Sequence, residues 1–404
     1  MHCAVQEVKK MRSKFSDVPK LFVILILRMI LKVFWIVPIN KNRIVFSSFM
    51  GRQYSCNPKY IFLEMYKMHG NSLEYIWCRN SYDENLAGYT SVKTLKFWSF
   101  KFIFYLLTCK VYITNLATEP FIPKRKGQLF INTWHGGGAY KSPHQFYKNN
   151  KCFEIRQKIR SKDTDYFLSS CELFTKFNAK EWYAHEQQFI PTGMPRNDIL
   201  IREKDNDRLR TEIKIRLGLK PQNRILLYAP TYRGILFAMN APLQTGFNID
   251  CPKILNAVEE RFGGDFVFLY RCHPSMLAFE RGMPGSMDVS SYPDMQELLL
   301  AADVLITDYS SSIWDYSFTK RPGFLFTPDL EQYKSGNDFF TPIDTWPYKY
   351  AESNSSLAVN IKGFDEAEHL EKIENHHKML GSYDKGTAAS ETAEMIKNFL
   401  ESTR

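Results

Sequence analysis

Short apolar runs separated by longer stretches of mixed polarity set the rhythm of this chain. Residues 42–48, built around Ile44, Val45 and Phe46, predict a first strand; 60–67 a helix; 74–78 a second strand. Strands follow at 111–114 and 128–132, then a polar helix over 148–160 and a strand at 166–169. A charged helical stretch over 198–217 closes the first half, where Gly218 and Pro221 supply a helix stop. The second half opens at Ile225 and repeats the alternation: strand to 228, helix 252–261, strand 266–270, helix 295–301, strand 304–307, helix 312–319 and a last strand at 324–326. Strands alternating with helices predict parallel sheets covered on both faces, so the expected class is α/β with two Rossmann-like halves. The polar, helix-prone region after Asn360 is expected to pack back across both.

Five of the apolar runs lead directly into polar constellations. Residues 128–132 precede Thr133-Trp134-His135-Gly136-Gly137-Gly138-Ala139-Tyr140-Lys141, and 188–190 lead toward Gly193-Met194-Pro195-Arg196-Asn197-Asp198. The run 225–227 precedes Tyr228-Ala229-Pro230-Thr231-Tyr232-Arg233, 266–270 precede Arg271-Cys272-His273-Pro274, and 304–306 precede Thr307-Asp308-Tyr309-Ser310-Ser311-Ser312. Open α/β sheets bind ligands at the carboxyl ends of their strands, so five such segments point to one cleft. Ser312-x-x-Asp315 has capping-box spacing, and the first N–H groups of a helix there, with the hydroxyls of Ser310, Ser311 and Ser312, suit a phosphate.

His135 and His273 are the catalytic candidates. An imidazole that titrates near neutral pH can take the proton of an attacking hydroxyl, and Gly136 and Gly137 let a substrate approach the backbone beside His135. Arg271 and His273, two apart on an extended segment, share a face and suit an anion. Thr231 and Arg233 are further phosphate-side candidates; Asp308 belongs to structure or to substrate hydroxyls, because a carboxylate repels phosphate. Arg196 and Asn197 are expected to brace the hinge between halves. A P-loop reading fails, because counting back from Lys141-Ser142 its two glycine positions hold His135 and Tyr140. No H-E-x-x-H or D-x-D pair occurs in the cleft motifs, so no bound metal is expected.

These five motifs, in this order, resemble the bacterial CDP-glycerol glycerophosphotransferases of teichoic acid synthesis, over about residues 47–333. The commoner family turn reads Trp-His-Gly-Thr-Pro-Leu-Lys, whereas Gly137, Gly138, Ala139 and Tyr140 fill its last four places here, and Lys141 sits one place later than the family lysine. The resemblance implies a GT-B fold of two facing Rossmann-like domains and His135 as the base. It implies transfer of glycerol phosphate from CDP-glycerol to a hydroxyl of an undecaprenyl-diphosphate-linked saccharide or polymer, with release of CMP. Arg271, His273 and the serines would then hold the donor diphosphate, while Gly136, Gly137 and Lys141 lie on the acceptor side. CDP-ribitol is an alternative donor, a sugar-nucleotide glycosyltransferase on the same fold an alternative enzyme, and primase against polymerase stays open with a lean to few additions. No cofactor is expected beyond optional assistance from magnesium. The expected division is 1–40 as a membrane-associating segment, 41–217 as the acceptor-side domain and 218–404 as the donor domain with C-terminal helices.

Charge and hydropathy add a location. A formal charge of +10 over 404 residues favours an anionic partner, and nucleic acid is set aside because no nucleic-acid module is recognisable. The eight cysteines form no C-x-x-C pair, so neither a disulfide framework nor a zinc site is indicated. Residues 21–37 are apolar apart from Arg28 and Lys32, and as a helix would reach about 25 Å, short of the roughly 30 Å hydrocarbon core. Lys20, Arg28 and Lys32 fall on one helical face, and Lys9, Lys10, Arg12 and Lys14 precede them. An amphipathic helix lying on the anionic cytoplasmic membrane surface is the expectation, which makes the protein peripheral at the cell membrane. Aromatic and lysine-rich 93–107 fits either a second interfacial segment or a core helix.

Overall fold

The computed structural model describes residues 2–81, 83–142, 150–231, 249–272, 283–336 and 339–402, with side chains from residue 17 onward except those of 335 and 336. The candidates Arg233 and His273 lie outside the described residues, as do the side chains of Lys9, Lys10, Arg12 and Lys14.

The first sheet contains β1 (Asn40–Ser47), β2 (Glu74–Cys78), β3 (Val92–Leu95), β4 (Cys109–Thr114), β5 (Leu129–Asn132), β6 (Tyr166–Leu168) and β7 (Phe189–Ile190), in the order β3-β2-β1-β4-β5-β6-β7. The second contains β8 (Arg224–Tyr228), β9 (Phe266–Tyr270), β10 (Met287–Asp288), β11 (Val304–Thr307), β12 (Gly323–Phe326) and β13 (Tyr350–Ala351), in the order β10-β9-β8-β11-β12-β13. Every pairing is parallel. Each sheet starts in its middle, grows to one edge and returns beside its first strand, so strand order reverses between β1 and β4 and between β8 and β11. A crevice opens at the carboxyl ends of the strands at such a point.

The central strands are apolar toward their carboxyl ends, where both faces are covered. Ile44 and Phe46 of β1 pack with Ile61 and Phe62 of helix Cys56–His69, while Val45 faces Phe102 and Leu106 of helix Phe100–Thr108. In the second sheet Leu226, Val304 and Ile306 enter one core, and Ile225, Leu227 and Leu305 enter the other.

Residues 74–78, 266–270, 295–301 and 304–307 form the expected elements with the expected limits. The edge strands β3, β10 and β13 are mostly exposed and carry no apolar run, and β13 rather than 324–326 ends the second sheet. The stretch 198–217 is two helices, Asp198–Arg202 and Asp207–Arg216, and the Asn206 side chain accepts from Leu209 N to start the second. Residues 93–107 divide between β3 and helix Phe100–Thr108, whose Phe102, Leu106 and Leu107 are buried, although Phe100 is 93% exposed.

Helix Ala388–Ser402 returns to the first sheet, where Ala393, Ile396 and Leu400 pack into the core of β1. Asp198 accepts from Ala388 N (3.0 Å) and Ala389 N (2.8 Å), which supplies a carboxylate to that helix start. A boundary at 217/218 groups this helix with the second half, but its apolar face belongs to the core of the first.

The N-terminal helix runs from His2 to Leu31 and continues as a 3₁₀ turn at Lys32–Ile36. Ile24, Leu31 and Phe34 pack on the first domain, whereas Phe22 (64%), Met29 (67%) and Ile36 (85%) are exposed. The three-cation face expected here is corrected by Arg28. It pairs with Asp163 at 2.6 Å and donates to the carbonyls of Pro120 and Ile122, because a guanidinium beside a buried carboxylate gains more than one left over apolar surface. Among the described residues, no helix is long and apolar enough to cross a membrane. The seven cysteines with described side chains are free thiols.

Candidate active site

His135 sits on a turn that several buried amides define. Beyond β5, the Asn132 side chain accepts from Trp134 N at 2.9 Å, and Asn57 donates to the carbonyls of Thr133 and Trp134, each at 3.0 Å. Trp134 takes a left-handed φ of 52° and packs between His135 (4.3 Å between ring centroids) and Trp182 (4.7 Å). The turn aims His135 across the switch point at the end of β4, where its Nδ1 meets the Asn115 carbonyl at 2.9 Å. A carbonyl only accepts, so Nδ1 carries the proton and the basic lone pair of a neutral ring lies on Nε2.

Glycines 136 and 137 bring the two halves into direct contact. A Cβ on Gly136 would lie 2.8 Å from the Ser311 hydroxyl oxygen, and one on Gly137 would lie 2.2 Å from Trp314 Cδ1. The loop carrying His135 is therefore seated on the segment that opens helix Ser312–Ser317.

Arg196 ties the same two elements together. Its Nη1 donates to the His135 carbonyl at 2.6 Å, and its Nη2 meets Asp315 Oδ2 at 2.5 Å. Burial disfavours the guanidinium charge, but the Asp315 carboxylate more than reverses this, so Arg196 is held protonated. Gln296 donates to the same carboxylate oxygen at 3.0 Å. The capping role expected of Asp315 is thus corrected: no side chain caps this helix at Ser311, and Asp315 serves the interdomain ion pair instead. Asn197 donates to Asp384, which also accepts from Met194 N and from Trp314 Nε1 (2.9 Å). Burial, with the negative Asp315 nearby, pushes Asp384 up to about 7.

Ser310, Ser311 and Ser312 line a cleft of about 200 Å³ together with His135, Arg196, Arg271 and Arg52. Ser310 accepts from Ser312 N at 3.2 Å. Asp308 is structural in its geometry: its two carboxylate oxygens accept from Thr231 N at 2.9 and 3.0 Å, joining the ends of β8 and β11. Arg271 contributes to the cleft wall, but its Nη1 donates to the carbonyls of Tyr292 (2.7 Å) and Val289 (3.3 Å), and burial lowers its pKa to about 10. Lys141 is held away from this cleft. It lines an adjoining pocket of about 180 Å³ that shares His135 and Ser311 as walls, and its Nζ donates to the Tyr333 hydroxyl at 3.3 Å.

Sequence reasoning missed Asn57, Asn115, Gln296 and Asp384, which orient the site through hydrogen bonds to backbone and partner side chains. Isolated amides carry no motif. Arg52 had a signal, since it follows β1 at the strand-order reversal.

A family model described as CDP-glycerol:poly(glycerophosphate) glycerophosphotransferase matches residues 29–398. A teichoic acid poly(glycerol phosphate) polymerase of Staphylococcus epidermidis is 29% identical over 89% of this chain, and the match spans 51% of that relative, so the chain corresponds to about half of its length. A teichoic acid glycerol-phosphate transferase of Staphylococcus aureus is 26% identical over 88% of this chain and 93% of its own. The solved wall teichoic acid polymerase TagF superposes with a TM-score of 0.80 at 26% identity, covering 96% of this chain and 98% of that one. A histidine variant of TagF soaked with CDPG gives 0.78 at 25% identity with the same coverage. The chain belongs to the CDP-glycerol:poly(glycerophosphate) glycerophosphotransferase family.

Proposed function

We propose that the cleft transfers glycerol phosphate from CDP-glycerol to a hydroxyl on a lipid-linked acceptor of teichoic acid or related polymer synthesis. The observation that carries this reading is the Nδ1 contact of His135 with the Asn115 carbonyl, which sets Nε2 as a base in a cleft lined by Ser310, Ser311 and Ser312. His135 takes the proton of the acceptor hydroxyl as its oxygen attacks the phosphorus that bears glycerol. The bond from that phosphorus to the bridging oxygen breaks, and CMP leaves with the electron pair. The serines, Thr231 and Arg52 hold the phosphates, and His273 and Arg233 belong to the same donor side. Arg271 supports it by shaping the wall. The two sheets work as a GT-B pair, with the half built on the first sheet toward the acceptor and the half built on the second toward the donor.

A ribitol donor is the second reading, favoured by the 25% identity to a teichoic acid ribitol-phosphate primase of Bacillus spizizenii over 91% of the chain. The exposed apolar side of the N-terminal helix supports peripheral attachment at the cytoplasmic face of the cell membrane, which would bring the cleft to a lipid-linked acceptor. The reading requires no metal, with magnesium only assisting. Incubation with labelled CDP-glycerol, CDP-ribitol and UDP-sugars, an undecaprenyl-diphosphate-saccharide analogue, and EDTA in parallel tests all of this. CMP release from CDP-glycerol with acceptor extension, slowed but not abolished by EDTA, is the expected result. Turnover of UDP-sugars alone would overturn the reading, and product length distinguishes one addition from many.

A further inference from the structure

The pocket beside the cleft has no role in the steps above. It is enclosed by the Gly136–Gly138 backbone, by aromatic rings that include Tyr309, Phe174 and Phe340, and by the half-buried Lys141. His135 and Ser311 are walls of both chambers, so a molecule lying across them passes directly by the base.

Lys141 is positioned rather than loose. Its ammonium donates to the Tyr333 hydroxyl, and the Tyr333 ring stacks on Tyr309 with centroids 3.8 Å apart. Tyr309 in turn donates to Asp329 at 3.0 Å. The lysine from the first domain is thus fixed by two rings of the second, on the same loop as His135. An ammonium among aromatic walls suits one negative charge on a slim chain.

We propose that this pocket binds the phosphodiester adjoining the terminal hydroxyl of the acceptor, with Lys141 as the charge partner, so that the hydroxyl is delivered to His135. The inference rests on the transfer reading above and names its acceptor-side determinant. It favours an acceptor that already carries an alditol phosphodiester over a bare saccharide, and such an acceptor is the product of an earlier reaction of the same bond type. Each transfer then regenerates the group that the pocket recognises, because its product again ends in a hydroxyl next to a phosphodiester. Lys141 acts on binding and placement, and the proton still moves to His135.

Two measurements test this with the full chain. In steady-state kinetics with CDP-glycerol, Lys141→Ala should raise the KM for an acceptor ending in phosphodiester-linked glycerol by about tenfold to a hundredfold, as loss of one charge-assisted hydrogen bond predicts. The KM for CDP-glycerol should change by no more than about twofold, and Lys141→Arg should recover most of the acceptor affinity, because charge is the determinant. A rise in the donor KM equal to that of the acceptor would overturn the assignment. Binding of a short, non-reacting glycerol-phosphate oligomer, followed by saturation-transfer NMR, asks the same question without turnover. The parent should bind it at least about fivefold more tightly than Lys141→Ala, and equal binding would sink the proposal. If the parent binds the oligomer through Lys141 but transfers nothing from CDP-glycerol, the transfer reading fails while the pocket stands.

Discussion

The guanidinium of Arg196 and the carboxylate of Asp315 meet at 2.5 Å across the boundary between the two sheets, each less than a tenth exposed. The same guanidinium holds the carbonyl of His135. Fold stability and the placement of His135 therefore run through one ion pair. Removing one partner strands a buried charge, so Asp315→Ala should lower unfolding free energy by about 3–5 kcal/mol. Replacing both partners together, as Arg196→Met with Asp315→Leu, should recover much of that loss in denaturant titrations. It should leave turnover impaired, because nothing then holds the His135 carbonyl. Full activity in the double variant would show that the pair serves folding alone.

His135→Ala should reduce turnover by about two to four orders of magnitude with donor binding retained. Circular dichroism and CDP-glycerol titration check that the fold and the donor side survive. Turnover within twofold of the parent would remove His135 from the chemistry.

Asp384 gives a pH dependence of defined sign. Its folded-state pKa of about 7 lies above the usual carboxyl value near 3.9. The folded protein therefore holds this proton where the unfolded chain has lost it. Its contribution to stability is complete below about pH 4 and is lost as pH rises toward and through 7. Asp384→Asn cannot ionise, so the decline in melting temperature between pH 5 and pH 8 should be smaller than in the parent. Parallel melting curves for the two proteins across that range would expose the opposite outcome.

The proposed peripheral attachment rests on the apolar side of the N-terminal helix. Substituting Phe22, Met29 and Ile36 together with aspartate should release the protein from anionic vesicles in co-sedimentation, since those side chains supply the buried area. Arg28→Glu should act differently, because it faces Asp163. It should lower thermal stability through like-charge repulsion. If Arg28→Glu lost only vesicle affinity, the pairing with Asp163 would be ruled out as its main role.

Hydrophobic periodicity made most of the fold legible. Buried parallel strands such as 304–307 are continuous apolar runs, and polar residues begin where each strand ends. The segments holding His135, Ser310, Ser311, Ser312 and Arg196 could be found for the same reason, since a strand end at a switch point is both a sequence feature and a place. What stayed hidden depends on partners distant in sequence. Asp315 reads locally as a helix cap, and only the folded chain brings Arg196 to it. Arg28 reads as a membrane-facing cation until Asp163 lies beneath it. Lys141 reads as an acceptor-side residue of the His135 loop, and only the folded chain brings Tyr333 to it and turns it into the neighbouring pocket. The edge strands β3, β10 and β13 were invisible because they are mostly exposed and so carry no apolar run to read.

The return of helix Ala388–Ser402 to the first sheet reverses the order of synthesis and the order of completion. When the ribosome has released the strands β1 to β7, the surface over β1 and helix Cys56–His69 still lacks Ala393, Ile396 and Leu400. It also lacks the helix start that Asp198 holds. The nascent first half must carry an open apolar seam while the whole second sheet is made. The first half is then closed by one late docking event, which comes only after the second sheet has been made.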